Sequence, residues 1–78
     1  MSLEEFNARV IQQSGECDIC ENSCPKLNVD HSHKTGKIRS LLCSPCNTAL
    51  GLVKDSPRIL MAMQKYLLKH EFVLDEAS

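Results

Sequence analysis

The chain has 78 residues, a formal net charge of −1 and 42% hydrophobic residues, which is the composition of one small folded domain and excludes a disordered segment. No apolar run approaches the roughly 20 residues of a membrane span, and the acidic start Met1-Ser2-Leu3-Glu4-Glu5 lacks the basic-then-apolar layout of a secretion signal. The cytoplasm is therefore the expected location, with no membrane partner, and five cysteines in a reducing compartment argue for metal over disulfides.

Ser2-Leu3-Glu4-Glu5 has the spacing of a helical capping box. Leu3, Phe6 and Val10 follow at helical spacing, which predicts a helix over about Leu3 to Gln13, ended by Ser14-Gly15. Cys17 to Pro25 reads as a zinc-knuckle loop. Leu27 to His31 alternates as a short strand, Lys34-Thr35-Gly36-Lys37 makes a turn with Gly36 free to take positive φ, and Ile38 to Leu42 returns as a second strand. Ser44-Pro45 opens a helix with Ser44 as cap, running to about Leu50 and closed by Gly51. Asp55-Ser56-Pro57 repeats the opening signal for a longer helix, to about His70. Ile59, Leu60, Met63, Tyr66 and Leu67 lie on one face of it, and Met61 and Leu68 form a second apolar stripe. That second stripe is either a partner surface or two scattered exposed residues. The resulting organisation is an N-terminal helix (1–15), a core (16–55), a C-terminal helix (56–70) and an acidic tail (71–78), all one domain.

Cys17 and Cys20 form one C-x₂-C pair, and Cys43 and Cys46 form another 22 residues further on. Two such pairs at this separation are the pattern of a tetrahedral Zn²⁺ site. Four thiolates leave no open coordination position, so this zinc is structural, and in a short chain its binding is coupled to folding. Cys24 falls outside the pattern, as an alternative ligand to Cys20 or a free thiol.

Between the pairs lies Asp30-His31-Ser32-His33, and Asn47 follows the last cysteine. A hairpin packed on the next helix can bring Asp30 and Asn47 together. Their carboxylate and amide oxygens are hard ligands that suit Mg²⁺, and His31 is a competent general base near neutral pH. Those parts fit phosphodiester hydrolysis. The competing reading of so short a pattern is two surface histidines beside a turn. The middle of the chain carries Lys26, Lys34, Lys37, Arg39, Lys54 and Arg58 against Asp30 and Asp55. Four thiolates on one Zn²⁺ offset part of that excess, so basicity alone is a weak argument for nucleic acid.

The run Val29-Asp30-His31-Ser32-His33-Lys34-Thr35-Gly36-Lys37-Ile38-Arg39-Ser40-Leu41-Leu42-Cys43-Ser44-Pro45-Cys46-Asn47-Thr48-Ala49-Leu50-Gly51 resembles the phage recombination endonuclease VII family, within the wider HNH or His-Me finger nucleases. The resemblance covers about Cys17 to Leu68. It implies a small α+β zinc-stabilised domain with a ββα-metal core and flanking N- and C-terminal helices. It implies that Asp30 and Asn47 hold Mg²⁺ or Mn²⁺, that His31 is the general base and that His33 assists at the phosphate or in positioning. The expected products carry a 5′-phosphate and a 3′-hydroxyl. Arg39 matches a basic position of the family's second strand, for phosphate contact or an internal ion pair. Lys34 and Lys37 join it as candidate DNA contacts. Ser40 stands where the family usually has glycine. The junction-resolving phage enzyme also carries a further C-terminal helical region, so nicking and cleavage of branched DNA or Holliday junctions are both expected activities, with a homodimer through the helices as a possible assembly. The expectation is a divalent-metal-dependent DNA endonuclease in the host cytoplasm. The alternative is a non-catalytic zinc-ribbon module binding nucleic acid or protein, and a redox protein built on the five cysteines is a distant third.

Overall fold

The computed structural model describes residues 1–70; the acidic tail 71–78 lies outside the described residues. Helix α1 spans Leu3–Gln12. It starts on the expected capping box: Glu5 N–H donates to Ser2 Oγ at 3.1 Å, and Ser2 N–H donates to Glu5 Oε1 at 3.0 Å. Phe6 and Val10 pack against the core. Leu3, expected on the same face, is 74% exposed, because the first turn of the helix overhangs the small core. Ser14 and Gly15 then take φ of 54° and 70°, and the Gly15 N–H bonds back to Val10, which stops the helix.

Strands β1 (Asn28–His31) and β2 (Ile38–Leu42) form an antiparallel hairpin. Its turn is held by Ser32, whose hydroxyl accepts from the N–H groups of Lys34 and Thr35. Gly36 takes φ 77° there, as its lack of a Cβ allows. The register pairs Asp30 with Ser40 and His31 with Ile38, so Arg39 is an extra, unpaired residue in β2. A bulge of this kind bends the strand and re-aims a side chain.

Helix α2 spans Ser44–Leu52 and α3 spans Pro57–His70. Two details of α2 differ from expectation. Its N-cap is Cys43, not Ser44; Ser44 sits inside the first turn and its hydroxyl accepts from Asn28 Nδ2 at 3.2 Å. The helix also runs past Gly51 to Leu52, with Val53 as cap. Val53 is buried, and burying it favours the extra half-turn over a stop at the glycine. The chain leaves α2 through Lys54 and Asp55, at φ 54° and 57°. Ser56 then caps α3, its hydroxyl accepting from the Ile59 N–H at 3.1 Å.

The core is small: Cys17, Leu27, Leu41, Leu42 and Cys43, with Val53 buried beside α2. Leu41, fully buried, sits at its centre. The outer edge of β2 at this residue is closed by the Gln13 side chain, together with the Asp18 N–H on the Leu41 carbonyl at 3.2 Å. Gln13 Oε1 accepts from the Leu41 N–H and Gln13 Nε2 donates to the Leu41 carbonyl, both at 3.0 Å. The same Nε2 reaches the Glu16 carbonyl at 2.7 Å. The amide thus acts as a missing strand and fixes α1 to the sheet. Replacing Gln13 with alanine leaves the buried Leu41 N–H without this acceptor, while the Leu41 carbonyl keeps the Asp18 N–H at 3.2 Å, so zinc-loaded protein is expected to lose about 1–3 kcal/mol in a urea titration; an unchanged midpoint would show that water replaces the amide.

Helix α3 has no buried residue. Ile59, Ala62, Met63, Tyr66 and Leu67 line an open groove along it, and Leu60, Met61 and Leu68 are exposed as well. Among the described residues, no helix is long and apolar enough to cross a membrane.

Candidate metal centre and cleft

The four cysteines of the two pairs meet. The Sγ atoms of Cys17, Cys20, Cys43 and Cys46 all lie within 4.8 Å of one another, and those of Cys20 and Cys43 are 3.8 Å apart. A tetrahedron with Zn–S bonds of about 2.3 Å has S···S edges of about 3.8 Å, so the donor set and its spacing fit zinc. Cys17 and Cys20 come from a tight loop in which Glu21 takes φ 61° and donates to the Cys17 carbonyl. Cys43 directly follows β2 as the N-cap of α2, and Cys46 lies in the first turn of α2. The cluster therefore ties the loop, the hairpin and the helix at one point. Cys24 stays outside it, with its thiol on the Lys26 carbonyl at 3.2 Å.

The thiols are electrostatically unequal. Burial works to raise Cys17, but the N–H groups of Cys43, Cys20 and Ile19, with the Cys43 side chain, pull it down to about 6. Burial and the neighbouring Cys43, Cys17 and Cys20 side chains push Cys46 up to about 12. Cys43 is raised too: the Cys46 N–H lowers it, and burial with the side chains of Cys17 and Cys20 outweighs that. Four thiolates at this spacing need a cation among them.

The second group of candidate residues surrounds a cavity of about 130 Å³ between the hairpin and α2, lined by Asp30, His31, His33, Asn47 and Asp55 with Val29, Leu50 and Gly51. Asp30 is contributed by β1 and is buried at 8% exposure. Asn47 is positioned by α2, its N–H on the Cys43 carbonyl at 3.0 Å, so the cysteine cluster also sets its place. The rings of His31 and His33 meet edge to face with centroids 5.8 Å apart.

Arg39 makes the internal ion pair of the two roles left open by the sequence. Its Nε donates to Asp30 Oδ2 at 2.6 Å and its Nη2 to Asp30 Oδ1 at 3.0 Å. The bulge at Arg39 allows this closure onto the opposite strand. The bidentate bond to Asp30, then the charges of Asp30 and Asp55, raise the guanidinium above its ordinary value. Lys34 lines an adjoining depression with Lys54, Asp55 and Ser56, and Lys37 is exposed at the start of β2.

Asp55 is the member of the cleft that sequence reasoning missed. It read as part of a helix-opening signal, a role that Ser56 fills, and as one acid in the charge balance of the middle of the chain. Its Oδ2 instead lies 3.2 Å from His33 Nδ1 and 3.5 Å from Arg39 Nη2. An acid before the cap, one residue further from the helix than a capping side chain needs, was the available signal.

A β-hairpin followed by a helix, a four-thiol cluster beneath them and an Asp/His/Asn-lined cleft above define a small zinc-type α+β domain with a polar site. The family model of recombination endonuclease VII matches residues 1–69, and the chain belongs to that family. It is similar to the Gene 59 protein of Mycobacterium phage D29, at 41% identity over 73 residues, which is 88% of this chain and 44% of that protein. It is also similar to the Gene 59 protein of Mycobacterium phage L5, at 43% identity over 60 residues, 72% of this chain and 37% of that protein. The chain thus spans less than half the length of these curated relatives. No solved structure matches it.

Proposed function

We propose that this chain is a divalent-metal-dependent DNA endonuclease of phage origin, with a ββα-metal core held by a structural Cys₄ zinc. The observation that carries the reading is the convergence of Asp30, His31, His33 and Asn47 on one cavity, in a chain of the endonuclease VII family. Asp30 and Asn47 are the residues that would hold Mg²⁺ or Mn²⁺. Both offer hard oxygen donors, and an ionised carboxylate has lone pairs to spare beyond the two bonds it accepts from Arg39. A cation held there supplies charge neutralisation at the phosphate.

The chain's own residues do the rest. Asn47, fixed on α2, orients its amide oxygen into the cleft. His31 takes the proton from the attacking water. His33 assists at the phosphate or in positioning, and Arg39, held beside Asp30, adds a fixed positive charge to the cleft. Lys34 and Lys37 meet the DNA backbone on the hairpin side. Cleavage leaves a 5′-phosphate and a 3′-hydroxyl. The exposed apolar residues of α3 support a homodimer through the helices, which would pair two cleavage sites as junction resolution requires.

The test is cleavage by zinc-loaded protein of supercoiled plasmid and of a synthetic four-way junction, with and without added Mg²⁺ or Mn²⁺. Metal-dependent cutting is expected, and the preferred substrate separates nicking from junction resolution. Omission of the divalent ion is the control, because a chelator strips the thiolate site as well. Folded protein that cuts neither DNA would replace this reading with a zinc-ribbon binding module.

A further inference from the structure

We propose that Asp55 is a positioning residue for His33: it selects the ring's Nδ1–H form and ties that ring to the Arg39–Asp30 ion pair. The proposal rests on the nuclease reading for its purpose, but not for its geometry.

Four observations carry it. Asp55 lines the same cavity as Asp30, His31, His33 and Asn47. Its side chain is only 21% exposed, and its Oδ2 sits 3.2 Å from His33 Nδ1. An ionised carboxylate can only accept, so Nδ1 must be the donor and Nε2 of the neutral ring is left as the acceptor. A free neutral imidazole favours the opposite form, so the carboxylate imposes a choice. Finally, the backbone is bent to deliver this side chain. Lys54 and Asp55 both adopt left-handed conformations, at φ 54° and 57°, held by Lys54 N–H on the Gly51 carbonyl and Asp55 N–H on the Leu50 carbonyl. Two consecutive non-glycine residues in this region carry strain, and such strain gathers at functional sites.

The second contact of Asp55 gives the arrangement its reach. Arg39 Nη2, 3.5 Å from Asp55 Oδ2, also binds Asp30 Oδ1. A chain of polar contacts therefore runs from His33 through Asp55 and Arg39 to Asp30. It joins the hairpin turn, the α2–α3 connection and the bulged strand. The His33 ring is otherwise largely exposed, so without Asp55 nothing among the described residues selects its form. His31 has no carboxylate on its ring among the described residues, which leaves the two histidines chemically distinct although they are two residues apart.

The experiment uses the whole zinc-loaded chain and the variants Asp55→Gly and Asp55→Asn. Glycine suits the positive φ, so the truncation does not add backbone strain; asparagine keeps an acceptor oxygen without the charge. Long-range ¹H–¹⁵N spectra of the imidazoles, recorded where the rings are neutral, read the His33 form directly. Asp55→Gly is expected to shift His33 from the Nδ1–H toward the Nε2–H form, and Asp55→Asn is expected to retain the Nδ1–H form. In plasmid cleavage, Asp55→Gly is expected to lower kcat about ten- to a hundredfold with KM little changed. Adding His33→Ala to Asp55→Gly should then cost little more than His33→Ala alone. An unchanged His33 signal in Asp55→Gly, or losses that multiply fully in the double variant, would overturn the proposal. Wild-type protein that cuts no DNA overturns the nuclease reading instead, and the ring spectra still decide the positioning.

Discussion

Changing Cys43 to alanine is expected to leave the chain unfolded at 25 °C, with less than one zinc bound per chain and circular dichroism lacking helix. Cys43 is a thiol of the metal cluster, the N-cap of α2 and a member of the buried core, so its loss acts on three things together. The largest is the metal. Structural zinc contributes apparent binding free energies of about 10–16 kcal/mol at neutral pH, whereas a domain's whole net stability is about 5–15 kcal/mol. A core of six buried apolar residues among the described ones has no reserve against such a loss. Cys24→Ser is the internal control. Its thiol lies outside the cluster on a backbone carbonyl, so this variant should fold and load zinc as the parent does. The same chemistry sets a pH dependence. Zinc binding requires thiolates, and in the metal-free cluster Cys46 is held up at about 12 and Cys43 is raised. Both release protons on loading, so zinc affinity rises with pH, and acidification releases the metal. A Cys43→Ala protein that folds without zinc would remove the cluster from the stability of this domain.

The second large effect is expected at His31. His31→Ala should lower cleavage by about 10²–10⁴-fold, the usual contribution of a general base, while zinc content and the unfolding midpoint stay unchanged. The ring is exposed and takes no part in the core, so its removal strands no buried group. His33→Ala is the informative comparison. The two rings touch edge to face, yet only His33 is engaged by a carboxylate among the described residues. Asp55 fixes the His33 ring in place, a positioning role, whereas His31 is the ring assigned to take the proton from water. His31→Ala should therefore cost more in kcat than His33→Ala. Equal cleavage by His31→Ala and the parent protein would sink the assignment of the base.

Much of the local structure was legible because it depends on near neighbours. The capping box at Ser2 and Glu5, the glycine turn at Gly36 and the start of α3 at Ser56 each rest on bonds spanning only a few residues. The cysteine pairs were legible for a different reason: two donors three apart on a tight turn face one ion whatever lies between the pairs. The end of α2 was not legible, because Gly51 is a local stop signal and the burial of Val53, a tertiary fact, overrides it. Gln13 gave no local sign either. Its function as a strand for Leu41 joins residues 28 apart.

The sequence by itself determined the family, the thiol donor set and the identity of Asp30, His31, His33 and Asn47 as site candidates, since motif spacing is a property of the chain. Only the tertiary structure decided how those groups are paired. The bulge that leaves Arg39 unpaired in β2 turns its guanidinium onto Asp30. The left-handed exit from α2 carries Asp55 to His33. Both depend on where two distant segments pass each other, and electrostatic partnership is set by distances in space that a linear pattern does not encode.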